Sequence, residues 1–237
     1  DLAEYEVWRR SWALNTKRNK KLHGNYKTQI STRTVQWEVN AFKQFLRWCA
    51  LRKIYSGNAF EWRYKVGERN RRSAFTRDQY RSLHTYMRTN EYLEKGKHRN
   101  DSRIIRHRHM LRAYILFMVN TGLRVGEARH LKWGDIEERT NKLGRRVITA
   151  FVTHSHSKVK RTRTVVGRYT AQRALERWKY HLDEIGEVWS SDTYIFCNDT
   201  GVPIGDFREG FNSVIREAGV EKDRNGIKLT LYCLRHT

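Results

Sequence analysis

Lysine and arginine number 48 in this 237-residue chain against 25 aspartates and glutamates, a formal charge of +23. A field of that sign gathers polyanions, and a content of 38% hydrophobic and 12% aromatic residues excludes a wholly disordered basic chain. No apolar run approaches the ~20 residues that span a bilayer, and no secretory signal is visible, so the expected partner is nucleic acid, with no membrane, in the cytoplasm. The three cysteines, Cys49, Cys197 and Cys233, are widely scattered and read as small buried hydrophobes in a reducing compartment.

Residues 1–30 are polar and basic, and the block "TKRNKKLHGNYK" (Thr16 to Lys27) places Lys17, Lys20 and Lys21 together. This stretch reads as a loop or arm. From about Thr32 the apolar residues Val35, Val39, Phe42, Leu46 and Cys49 recur every three or four positions, with Arg33, Lys43, Gln44 and Arg47 between them, which predicts an amphipathic helix with one face open to phosphates. The aromatics Trp37, Phe42, Phe45 and Trp48 have the chemistry to stack on bases, but their helical spacing favours packing in the core.

The period lapses over "KVGERNRRSAFTRDQY" (Lys65 to Tyr80), where Arg69, Arg71 and Arg72 cluster. A linker at residues 65–74 is expected there, dividing the chain into a helical domain at 1–68 and a second domain at 69–237. Thr76 followed by Gln79 has the form of a capping box that starts the next helix. A polar gap from Glu94 to Arg103 reads as a surface loop. The run "YILFMV" (Tyr114 to Val119) is a buried helix, stopped by Gly122.

Beyond it, "VITAFVT" and "TRTVV" flank a polar, basic middle, "HSHSKVKR", and predict a hairpin or small sheet with an exposed loop. A helix at Ala171–Leu182, a short strand "TYIFC", a turn at "DTGVP" and a helix "FREGFNSVIREAG" complete the order. The histidines at 107, 109, 154 and 156 invite a metal reading through "HRH" and "HSH", but no carboxylate or cysteine at helpful spacing completes a set; neither metal nor cofactor is expected.

Arg124 starts a helix on the side shared with Ala128 and Leu131, and Glu127 is placed to brace it. An unpaired buried guanidinium is costly, so this one is paired or faces a polyanion. Arg235 and His236 follow an apolar stretch near the C-terminus, and the hairpin loop supplies Lys158. Two arginines and a lysine are what a phosphoryl-transfer site working without metal needs: planar forks for the non-bridging oxygens, fixed donors for the charge that grows in the transition state, and an ammonium as general acid.

These residues carry a resemblance. "TGLRVGEARHLKWGDI" is similar to the first signature box of the tyrosine recombinases, the phage-integrase family; "FTRDQYRSL" resembles the opening of that family's catalytic domain; "SKVKRTRTVV" resembles its β-hairpin, with Lys158 five positions before Arg163; "TYIFCNDTGVPIGDFREGFNSVIREAGV" and "LYCLRHT" resemble the run into its second box. The resemblance covers residues 74–237 and implies an α+β chain: a helical N-terminal core-binding domain with a basic arm, then a mixed, mainly helical catalytic domain with a small antiparallel sheet.

It also implies a mechanism in which a tyrosine attacks the scissile phosphate, forms a 3′-phosphotyrosyl link and frees a 5′-hydroxyl. Arg124 and Arg235 would clamp the phosphate and Lys158 would protonate the leaving oxygen, with Lys160 the alternative if the loop register slips by two. Glu127 would orient Arg124, with His236 in support, and Lys160, Arg161 and Arg163 would join Lys17, Lys20, Lys21, Arg69, Arg71 and Arg72 on DNA. Tyr232 stands where the second box has histidine; a phenol titrates near pH 10 and is a poor proton acceptor at neutral pH.

The third box and its nucleophilic tyrosine are expected beyond Thr237. The resemblance further implies a homotetramer on DNA and a nucleoid-associated location. The alternatives are a truncated or inactive relative that occupies DNA sites without cutting, a type IB topoisomerase, which the recombinase-like boxes disfavour, and RNA binding through charge alone, which leaves the Arg-Lys-Arg set unexplained.

Overall fold

The computed structural model describes residues 4–15, 30–57, 73–94, 100–156 and 160–237, and the chain divides into two compact units, Asp1–Arg71 and Arg72–Thr237. The first unit holds helices α1 (Tyr5–Asn15) and α2 (Thr32–Leu51). Ser31 caps α2, its hydroxyl accepting from the Thr34 amide at 3.1 Å, which satisfies one of the donors a helix start leaves open. Glu38 joins the two helices, accepting from Arg9 Nη2 at 2.9 Å and from Tyr5 Oη at 3.0 Å.

Two expectations are corrected here. The arm expected over residues 1–30 is helical from Tyr5 to Asn15, because Tyr5 and Arg9, one turn apart, both reach Glu38; its basic block, with Lys17, Lys20 and Lys21, lies outside the described residues. The aromatics of α2 are not core. Val35, Val39 and Cys49 form the buried stripe, whereas Trp37 is 65% exposed and Phe45 56%, with Phe42 and Trp48 also in the open. Alpha-helical spacing permits two apolar stripes on one helix, and only tertiary packing decides which turns inward. The outer stripe stacks on itself, Phe45 against Trp48 at 6.3 Å, and is roofed by Arg52 over Trp48 at 4.7 Å.

In the second unit the chain runs α3 (Arg77–Tyr86), α4 (Asn90–Glu94), α5 (Ser102–Thr121), α6 (Val125–Arg129), β1 (Ile136–Thr140), β2 (Arg146–Val152), β3 (Arg163–Gly167), α7 (Tyr169–Glu184) and α8 (Arg208–Glu217), with short 3-10 turns at Trp133–Asp135 and Leu231–His236. Both arms of the Thr76–Gln79 capping box are made, at 3.2 and 3.0 Å. Asp101 caps α5 by accepting from the Arg103 and Ile104 amides, so the helix starts at Ser102, inside the gap expected over Glu94–Arg103.

Helix α5 is the axis of the core. Its residues Met110, Leu111 and Ala113 to Met118 are all buried, and a helix covered on most sides needs a continuous apolar run rather than a stripe, which is why "YILFMV" carries no period. Helix α7 packs along it through Ala171, Ala174, Leu175 and Trp178. The buried Trp178 indole donates to the Ile195 carbonyl at 2.7 Å, filling the one polar need of a side chain otherwise enclosed by carbon.

The sheet is antiparallel in the order β1-β2-β3. Ile136 pairs with Ala150 at one end of the first ladder, and Val152 with Arg163 at the loop end of the second. The expected hairpin is therefore β2 and β3, joined on its far side by a strand, β1, that charge had hidden: "IEERT" is exposed but for Ile136, as suits a sheet edge. At Gly167 an added Cβ would lie 2.8 Å from Ile148 Cγ1 and 3.0 Å from Thr121 Cγ2, so only glycine lets β3 end this close to α5.

The strand expected at "TYIFC" is absent. Tyr194 makes a single bridge to Lys132 and Cys197 another to Pro203; the segment ties two different turns together instead of extending one ladder.

Candidate nucleic-acid cleavage site

Helix α5 stops as the sequence requires. Gly122 takes the left-handed conformation at φ 63° and its amide donates to the Met118 carbonyl at 3.0 Å, a position where a side chain would be strained. Two residues later Arg124 is extended at the N-cap of α6. Its amide donates to Glu127 Oε2 at 2.9 Å and its Nη1 to Glu127 Oε1 at 2.8 Å. The backbone of the C-terminal turn passes close by: a Cβ on Gly122 would lie 3.9 Å from the Arg235 carbonyl oxygen. The turn that launches Arg124 and the turn that carries Arg235 are thus neighbours in space though far apart in sequence.

Glu127 is the hub. Its side chain is 1% exposed and accepts a fork from Arg163, Nη1 to Oε1 at 2.9 Å and Nη2 to Oε2 at 2.7 Å, in addition to Arg124. Burial pushes its carboxyl up, but the bonds from Arg163 and from the Arg124 backbone and side chain outweigh it and hold the group at about 2, well below the ordinary 4.5. One buried carboxylate therefore fixes two guanidinium groups. Arg124 keeps a quarter of its side chain open, and its Nη2 is not engaged by Glu127.

Arg235 Nη1 is enclosed and has no hydrogen-bond partner among the described residues. A buried cationic donor left open is costly, and an oxyanion that reached it would satisfy it. Tyr232, on the same turn, is half-buried with its ring 5.3 Å from that of His236, which is exposed. The turn is tied back to the start of the unit by Thr237, whose hydroxyl donates to the Cys233 carbonyl at 3.0 Å and accepts from the Phe75 amide.

The described part of the hairpin loop carries two further cations. Lys160 and Arg161 are exposed, and Lys160 sits at φ 49°, a left-handed turn outside glycine's usual monopoly. Lys158, like Arg69, Arg71 and Arg72, lies outside the described residues. Near the base of this loop His156 stacks flat on His130, rings 4.6 Å apart and 4° from parallel, while His130 Nδ1 meets the Gly126 carbonyl at 2.7 Å. The hairpin is thereby attached to α6. Among the described residues no group of three His, Cys, Asp or Glu side chains is placed to hold a metal ion.

Arg163, expected on DNA, has its guanidinium on Glu127 and keeps about a third of its side chain open. Nothing in the 36-residue separation signals that contact; it follows from the β2–β3 register, which sets Arg163 opposite Val152 at the mouth of the hairpin.

A mixed fold with a small antiparallel sheet, and arginines at the turn after α5, at the start of β3 and on the last turn, define the catalytic-domain class of the tyrosine recombinases. The sequence matches the phage integrase family over residues 73–237, and the chain belongs to that family. The fold is similar to that of the XerH site-specific recombinase bound to difH substrate in a pre-cleavage complex, with a TM-score of 0.56 at 17% identity, covering 88% of this chain and 53% of that one. It is also similar to the Tn1549 transposon integrase in complex with circular intermediate DNA, with a TM-score of 0.56 at 14% identity, covering 96% of this chain and 69% of that one. At these identities the likeness is one of fold. The chain spans about half the length of the XerH chain. No curated protein sequence matches at a significant level.

Proposed function

We propose that the complete protein is a site-specific DNA recombinase, an integrase of a mobile element, that cleaves and rejoins DNA through a 3′-phosphotyrosyl intermediate. The observation that carries this reading is the buried Glu127 carboxylate holding Arg124 and Arg163 beside the open donor of Arg235. Arg124 and Arg235 grip the non-bridging oxygens of one phosphodiester. A tyrosine oxygen, its proton lost to solvent, forms the new bond to phosphorus as the bond to the 5′-oxygen breaks, and Lys158, or Lys160 in the slipped register, donates the proton that the leaving 5′-oxygen needs. The phosphotyrosyl ester keeps the bond energy, and attack by another strand's 5′-hydroxyl reverses the step. Tyr232 donates a hydrogen bond to the phosphate where a histidine would also take a proton. The nucleophile is assigned to no residue of this chain.

In this reading residues 1–68 form the helical core-binding domain with its basic arm, residues 69–237 the catalytic domain, and the complete protein works on duplex DNA as a homotetramer. Charge of +23 and the exposed Lys160 and Arg161 support duplex binding. Its affinity should fall with salt at a log–log slope of roughly −0.9 per phosphate contact, and a slope near zero counts against the reading.

A second reading, a relative that occupies DNA sites without cutting, is favoured by Tyr232 in the histidine position. Trapping the complete protein on a nicked duplex separates the two: a covalent protein–DNA adduct at the 3′ end supports the recombinase, and tight binding with no adduct supports the non-cutting relative.

A further inference from the structure

A second group of arginines lies in the catalytic unit outside this cleft, along α3, α5 and α7. Arg112, on α5, stands nine residues before the end of the helix, about 13 Å along its axis from the turn that leads to Arg124. With His109, Arg177 and Trp178 it lines a cleft of about 20 Å³, room for a single oxygen atom. The Arg112 Nε is enclosed and has no hydrogen-bond partner among the described residues. His109 lies flat on His181 at 3.8 Å, 5° from parallel. Arg88 and His84, from α3 and the turn after it, share the surroundings: Arg112 feels Arg177 and Arg88, and His84 feels all three arginines.

Among the described residues none of Arg88, Arg112 and Arg177 makes an ion pair. Glu176 acts on Arg177 without pairing with it and bonds Arg146 and Gln172 instead. The same crowding weighs on their charged forms. Burial first, and the neighbouring arginines second, push Arg112, Arg177 and His84 down, and His109, pressed by burial, His181 and Arg112, falls to about 4. Unpaired cations held together against their own repulsion mark a place that an anion completes.

We infer that Arg88, Arg112 and Arg177 form an oxyanion site for a phosphate group, separate from the Arg124–Arg235 clamp. One oxygen enters the cleft and accepts from Arg112 Nε; the others remain at the rim, where Arg88 and Arg177 are exposed. A DNA backbone phosphate and a free phosphate present the same chemistry.

Thermal unfolding of this chain in inorganic phosphate, compared with sodium chloride of equal ionic strength, tests the site. Both clamp arginines are present in every variant, so their contribution cancels. Phosphate should stabilise the wild type, and Arg112→Met, or Arg177→Gln if Arg112→Met does not fold, should weaken the apparent phosphate affinity about tenfold, the loss of one charge-assisted pair. A parallel titration with duplex DNA assigns the source. If both variants also weaken duplex binding and lower its salt slope by about 1 per contact, the ligand is a DNA phosphate; if duplex binding is unchanged, it is a small phosphate compound. A phosphate response in both variants equal to that of the wild type overturns the site.

Discussion

Two arginine-rich regions of the catalytic unit solve the same electrostatic problem in opposite ways. Around Glu127, two guanidiniums share one buried carboxylate, and every short bond in the group points inward. Around Arg112, three guanidiniums and two imidazoles meet, and among the described residues none of the guanidiniums makes an ion pair. The first arrangement is preassembled, so its cations hold their places whether or not DNA is present. The second is left incomplete. Preassembly suits a site that must stabilise a transition state, whereas incompleteness suits one that binds.

Mutations at the two centres should therefore act with opposite sign. Glu127→Ala leaves Arg124 and Arg163 facing each other without a counter-charge and should destabilise the chain by about 3–5 kcal/mol in chemical denaturation; a loss below about 1 kcal/mol would show that the pair is not held as described. Acid should act through the same group. Its folded pKa, about 2, lies below the ordinary 4.5, so its contribution is complete above pH 4.5 and is lost as pH falls toward 2. The stability gap between the wild type and Glu127→Gln should close over that window.

At the other centre, Arg112→Met keeps the apolar stem and removes an unpaired charge. In chloride it should raise the melting temperature, by about 2–4 °C if the relief is near 1 kcal/mol. A fall of similar size would mean that Arg112 has a partner after all. Arg177→Gln, at an exposed position, should shift stability by no more than about 0.5 kcal/mol in chloride while still weakening phosphate binding.

Much of this was legible in the sequence where one residue determines one local outcome. Thr76 and Gln79 close their capping box, Gly122 stops α5, and Arg124 finds Glu127 one turn away, because each contact is made within four residues. What stayed hidden depends on packing between distant segments. The fork from Arg163 to Glu127 spans 36 residues and needs the sheet register. The outward turn of Trp37 and Phe45 depends on which stripe of α2 finds a neighbour, and the single bridges at Tyr194 and Cys197 depend on what lies beside them. The Arg112 cluster draws on three helices, and none of its members carries a spacing signal.

The most direct test of the phosphate clamp compares adduct and affinity in the complete protein carrying Arg124→Ala or Arg235→Ala. If these side chains act on charge that develops in the transition state, covalent adducts on a nicked duplex should disappear while DNA affinity stays within about tenfold of wild type. Adducts at the wild-type level in either variant would contradict the clamp.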